Sequence, residues 1–165
     1  MSSSDRRTFL GIMAALPLGA CGFTPAYGPA GPARGLFNKV AVDAPTDKDA
    51  FDFVARIEER LGRPEGAAFR LRYTISTKAE ALAIARTNAI TRYRLEGSIR
   101  FRLLDKGGEK VLTSGEVGSF TAYSASGTSI ATAASRDDAK TRLMILLADQ
   151  VVTRLIATSP AWKGK

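Results

Sequence analysis

From Arg92 to Leu104 the chain alternates between two kinds of residue. Tyr93, Leu95, Ile99, Phe101 and Leu103 fall on one side, and Arg92, Arg94, Glu96, Arg100 and Arg102 on the other. A period of two marks a β-strand with one face buried and the other in water. A one-residue slip would drive every arginine into the core, so the pattern also pins the register. Residues 68–78 repeat it, with Phe69, Leu71, Tyr73 and Ile75 inward against Arg70, Arg72, Thr74 and Ser76. The alanine-rich stretch 79–85 reads as a strand extension or a helical turn, and Thr87-Asn88-Ala89 predicts a turn. Asp105-Lys106-Gly107-Gly108 predicts a hairpin loop, followed by a strand over 109–123 in which Gly115 and Gly118 allow a bulge or close backbone approach. A shorter strand is expected at 37–43, with Val40 and Val42 on one face.

Two segments carry helical spacing instead. Thr46 or Asp47 can cap a helix through Leu61 whose apolar positions are Phe51, Val54, Ile57 and Leu61, and Gly62 and Pro64 stop it. After a small, polar stretch at 124–134, expected to be a flexible loop, Ser135 can cap a long helix to about Ala157. Its buried stripe is Ala139, Leu143, Leu147, Val151 and Leu155, its first turn holds Asp137 and Asp138, and Pro160 should end it. The fold class is therefore α+β, in the order β-α-β-β-β-α. The expected architecture is a four-stranded mixed, largely antiparallel sheet with two helices packed on one face. The other face should then carry Arg70, Arg72, Arg92, Arg94, Arg100 and Arg102. Such a face either recognises a polyanion or is a solvated surface on which arginine serves solubility and blocks edge pairing.

Composition narrows the chemistry. Histidine is absent and there is one cysteine, which excludes Ser-His-Asp and Cys-His catalysis, histidine or cysteine-cluster metal sites and an intrachain disulfide framework. No cofactor is expected, and no carboxylate pair, phosphate loop or metal-ligand spacing emerges. Asp137 and Asp138 are explained as helix-start residues. The net charge is +8.

The N-terminus reads as an export signal over residues 1–20: Arg6 and Arg7, then an apolar stretch from Phe9 to Ala20, too short to span a bilayer. Arg6-Arg7-Thr8-Phe9-Leu10 fits a twin-arginine signal as well as an ordinary secretory one. Leu18-Gly19-Ala20-Cys21 resembles a bacterial lipobox. That resemblance implies cleavage before Cys21 and a covalent diacylglyceryl and N-acyl lipid on its sulfur and nitrogen. Two or more chains hold a protein to a membrane durably, where one does not. Gly22, in place of aspartate, resembles the default for sorting to the outer membrane. Residues 21–35, rich in proline and glycine, read as a lipidated tether, 36–158 as one domain, and 159–165 as a basic tail in which Trp162 either is disordered or sits at a membrane or protein interface. No other stretch reads as long and apolar enough to span a membrane. The mature body is thus expected to be periplasmic and tethered, which makes nucleic acid a poor partner and lipopolysaccharide or anionic headgroups better ones.

Beyond single motifs, the chain resembles the LptE family of lipopolysaccharide-assembly lipoproteins. The matching pieces run in order: Cys21-Gly22-Phe23 with Pro25 and Tyr27; Ala81-Leu82-Ala83-Ile84; Thr91-Arg92-Tyr93-Arg94-Leu95; Leu103-Leu104-Asp105; Val111-Leu112 before Gly115; Tyr123; and Ile130-Ala131 leading to Asp137-Asp138-Ala139. The resemblance implies a non-enzymatic lipoprotein of the outer membrane, on its periplasmic side, that plugs the lipopolysaccharide translocon β-barrel and assists lipopolysaccharide delivery. It also implies lipopolysaccharide contacts at basic residues near strand tips, for which Arg86 and Arg92 are the candidates. Tyr123 either contacts the barrel or closes the edge of the core. The competing reading is a periplasmic lipid- or solute-binding lipoprotein serving a transporter, which would require an apolar pocket. A lipid-anchored hydrolase is disfavoured by the missing histidine.

Overall fold

The computed structural model describes residues 25–28, 31–84 and 90–163. The export segment, Cys21, Arg86 and the turn expected at 87–89 lie outside the described residues. Four strands lie side by side in chain order: β1 (Val40–Val42), β2 (Phe69–Ile84), β3 (Ile90–Asp105) and β4 (Val111–Ser124). β1 runs parallel to β2, with helix α1 (Lys48–Leu61) as the crossover, and the remaining pairs are antiparallel. The order β-α-β-β-β-α and the mixed sheet are as the alternation requires.

The register sets the two faces. Leu71 lies opposite Leu103, Tyr73 opposite Phe101, and Ile99 between Ile75 and Val117. Those residues meet the helices: the Phe53 ring of α1 lies 4.8 Å from that of Tyr73. Helix α2 (Ser129–Lys163) presses Leu143 and Leu147 onto Gly97. A Cβ on Gly97 would stand 2.9 Å from Leu143 Cδ2, so the bare backbone is what lets α2 settle on the sheet. Gly115 takes the edge of the Phe101 ring in the same way, and the bulge falls instead between Leu103 and Leu104, opposite the start of β4.

Each helix departs from expectation in an instructive way. Asp47 caps α1, accepting from Ala50 N at 2.8 Å, and Gly62 ends it with φ +77°. The buried side chains are Ala50, Phe53, Val54, Ile57 and Leu61, whereas Phe51 is 61% exposed. Phe53 is the core aromatic because it shares a face with Ala50 and Ile57 at spacings of three and four. α2 has the expected stripe from Ala139 to Leu155, all inaccessible to solvent, but it begins at Ser129 rather than Ser135. The expected loop shrinks to the few residues before it, and Asp137 and Asp138 lie inside the helix, beside Arg136 and Arg142 respectively.

Nor does Pro160 end α2. A proline removes the N–H that would bond the carbonyl four residues back. Here that carbonyl belongs to Ile156, and Ser159 Oγ lies 3.0 Å from it and 3.1 Å from Pro32 O, a position from which its hydroxyl serves both. The helix continues far enough to bury Trp162, whose ring meets Phe69 edge-on at 5.3 Å, so this tryptophan belongs to the core rather than to a free tail. By length and apolar content α2 could cross a membrane, contrary to expectation for residues beyond the signal. Half of its apolar stretch is buried, however, and its role is that of a core helix.

The tether also differs. Pro32–Gly35 forms a 3-10 turn, and Ala33 and Leu36 are fully buried. Tyr27 OH receives a hydrogen bond from Arg60 of α1 at 2.6 Å, so the chain is fastened before β1 begins.

Candidate functional site

With both helices on one side, the other side of the sheet is left to the even-numbered residues of β2, β3 and β4. Arg70, Arg72, Arg92, Arg100 and Arg102 are exposed there, and Arg94 is partly buried. The cationic face read from the alternation is therefore present, with a charge arrangement that the alternation did not disclose. Arg72 and Arg102 are direct cross-strand partners. Like charges placed opposite each other oppose pairing of the strands.

Carboxylates relieve part of this. Arg70 Nε donates to Asp43 Oδ1 at 2.6 Å, Arg72 Nε lies 3.9 Å from Asp43 Oδ2, and Arg100 Nε lies 3.4 Å from Glu116. Arg102 makes no ion pair among the described residues. Together Asp43, Arg72, Thr74, Arg100, Arg102 and Glu116 border an open groove of about 540 Å³. Its three guanidiniums, Arg72, Arg100 and Arg102, can give bidentate hydrogen bonds to carboxylate or phosphate.

Further along the strands the face changes character. The Arg94 guanidinium lies 4.2 Å over the Phe120 ring. Its Nε, although 3.0 Å from Glu96, is buried and has no acceptor in line. Lys78 and Glu80 form an exposed pair whose hydrogen bond raises the lysine pKa and lowers that of the carboxyl. Arg92 stands at the beginning of β3, level with Ser124, exposed and without a carboxylate partner among the described residues. Arg86 and Cys21 lie outside the described residues. Tyr123 stacks on Tyr93 at 5.2 Å and is buried, closing the edge of the core. Sequence reasoning placed the arginines but missed Asp43 and Glu116. Continuing the β3 alternation into β4 would have found Glu116. Asp43 follows a three-residue strand, and no local pattern marks it.

A family model described as "LptE: Lipopolysaccharide-assembly" matches residues 37–155, which is all of the sheet, all of α1 and most of α2. The chain belongs to this family. None of the curated proteins compared matches it. Among solved structures, a Caulobacter crescentus CB15 protein described as a lipoprotein is similar with a TM-score of 0.65 at 20% identity, over 84% of this chain and 100% of that one. Rare lipoprotein B from Shewanella oneidensis gives 0.59 at 15% identity, over 76% and 97%. A minor lipoprotein from Acinetobacter baumannii gives 0.57 at 16%, over 75% and 93%. At these identities the likeness is one of fold.

Proposed function

We propose that this LptE-family chain is a non-enzymatic, lipid-anchored component of the outer membrane. It assembles with the lipopolysaccharide translocon β-barrel, occupies its lumen and assists lipopolysaccharide delivery to the cell surface. The observation that carries the reading is the family match over residues 37–155. The elements are consistent with it: the long strands and α2 each run about 50 Å by element length, and the helix-free sheet face is polar, suited to the polar interior of a large barrel. A lipid on Cys21 would hold it at the membrane, and Arg86 and Arg92 are the proposed lipopolysaccharide contacts. The absence of histidine removes the commonest acid–base and nucleophile-activating group.

Affinity purification of the full-length tagged chain from detergent-solubilised outer membranes tests this. The expected result is stoichiometric recovery of one large β-barrel protein, identified by mass spectrometry. Recovery of the chain alone, or with an inner-membrane transporter, overturns the reading.

A further inference from the structure

The helix-free face has a feature that folding does not require and that solubility does not explain. Arg72 and Arg102 are paired directly across β2 and β3, Arg70 and Arg100 are their neighbours at two-residue spacing, and among the described residues two carboxylates, Asp43 and Glu116, reach the group. Scattered surface arginines would confer the same solubility without setting two guanidiniums opposite each other. A cluster of this kind is relieved when an anionic surface is laid against it.

Resting on the proposal that the chain sits inside a barrel, we infer that this groove is the docking surface for a strip of acidic side chains on the barrel's inner wall. The spacing argues for protein rather than lipid. Arg70 and Arg72 on β2, and Arg100 and Arg102 on β3, repeat every second residue, about 6.6 Å along each strand, and the strands lie about 4.8 Å apart. Lumen-facing residues of a barrel strand also recur at every second position, so carboxylates on one such strand fall into step with the arginines. Bidentate guanidinium–carboxylate pairing then fixes both register and orientation. A lipid headgroup would bring acyl chains and need an apolar shelf beside the cations. The exposed ring on this face, Phe120, lies four residues beyond Glu116, about 13 Å away. Its aromatic lining, Tyr73 and Phe101, faces the helices, with Phe101 buried and Tyr73 against Phe53, so the rim is left to arginine, aspartate, glutamate, serine and threonine.

The test compares full-length tagged chains: wild type, Arg72→Glu/Arg102→Glu, the neutral Arg72→Gln/Arg102→Gln, and a charge-matched control, Arg63→Glu/Arg154→Glu. In the control, Arg63 at the end of α1 and Arg154 on α2 lie outside the groove. Each is scored for barrel recovery from outer membranes across a salt series and, after purification, for binding to vesicles containing lipopolysaccharide. The expected result is a loss of barrel recovery of about tenfold or more for the glutamate pair. A smaller loss is expected for the glutamine pair and none for the control, with lipopolysaccharide binding retained throughout. The thermal midpoint of the glutamine pair should equal or exceed that of wild type, because it removes a like-charge contact, and the glutamate pair should still give a cooperative melt. If wild type brings down the barrel and the glutamate pair does so equally well, the docking inference fails while the proposed function stands. If both groove variants keep the barrel but lose the vesicles, the occupant is lipid phosphate and the inference is overturned. If wild type brings down no barrel, the proposed function fails first.

Discussion

Gly97 and Arg92 lie on one strand five residues apart, and they show how differently single residues can be constrained. Gly97 faces Leu143 and Leu147 at distances where one methyl group would collide, so its identity answers to packing and to nothing outside the molecule. Period-two alternation could not reveal this, because a glycine carries no hydrophobic signal and the leucines it receives lie more than forty residues away. Arg92 is the opposite case. It is exposed at the strand's start and touches no carboxylate among the described residues, so the fold gives no reason for its charge. Replacing Arg86 and Arg92 together with glutamate is expected to leave the melting transition in place and to weaken lipopolysaccharide binding by the purified protein about tenfold. Unchanged binding would remove both as contacts.

At the scale of elements, what joins the two helices is a polar seam outside the hydrophobic stripe. Asp149 of α2 receives Arg56 Nε and Nη2, each at 3.0 Å, and Arg60 Nη1 at 2.7 Å. Asp52 of α1 meets Lys48 and Thr141, and Lys140 meets Asp49 at 2.9 Å. Burial pushes the carboxyls of Asp149 and Asp52 up, but the hydrogen bonds and charges of these partners outweigh it and hold both below the ordinary aspartate value. A carboxyl depressed in the folded state stabilises above its unfolded pKa, near pH 4, and the contribution is lost as pH falls through the folded value. Asp149→Asn should therefore lower stability at pH 7 by about 1–2 kcal/mol, allowing for partial exposure. It should converge on wild type as pH falls through the depressed folded-state value, as read by urea melts across pH. Equal stability at pH 7 would show the seam to be inert. The apolar stripes of both helices were legible because each is a local pattern, Phe51 excepted. The seam was not, because Arg56 and Asp149 are 93 residues apart and each alone reads as an ordinary surface charge. The ends of α2 were misread for a related reason. Small polar residues and a proline normally break helices, yet Ser159 serves the carbonyl that Pro160 frees, and Trp162 gains a place against Phe69.

For the whole molecule, the described chain is fastened before the sheet begins. Tyr27 is held by Arg60, and Pro32 by Ser159 near the end of α2, so Tyr27 and residues 31–36 lie at the end of the sheet where β2 begins and β3 ends. Cys21→Ala is expected to release the protein into the soluble periplasmic fraction or leave it uncleaved, and normal outer-membrane fractionation would contradict the anchor. The sequence by itself determined that three long strands bury one side each, that arginines line the other, that two amphipathic helices supply the cover, and that the lone cysteine follows a lipobox-like run. All of these are repeats of two or of three to four residues, or contiguous motifs, which neighbouring side chains encode directly. Only the tertiary structure decided that Arg72 and Arg102 are paired across strands, that Asp43 and Glu116 meet their arginines, that Trp162 is core, and that Asp149 joins the helices. Each of these depends on how distant segments are brought into register, and that follows from packing the whole sheet against both helices rather than from any local stretch of chain.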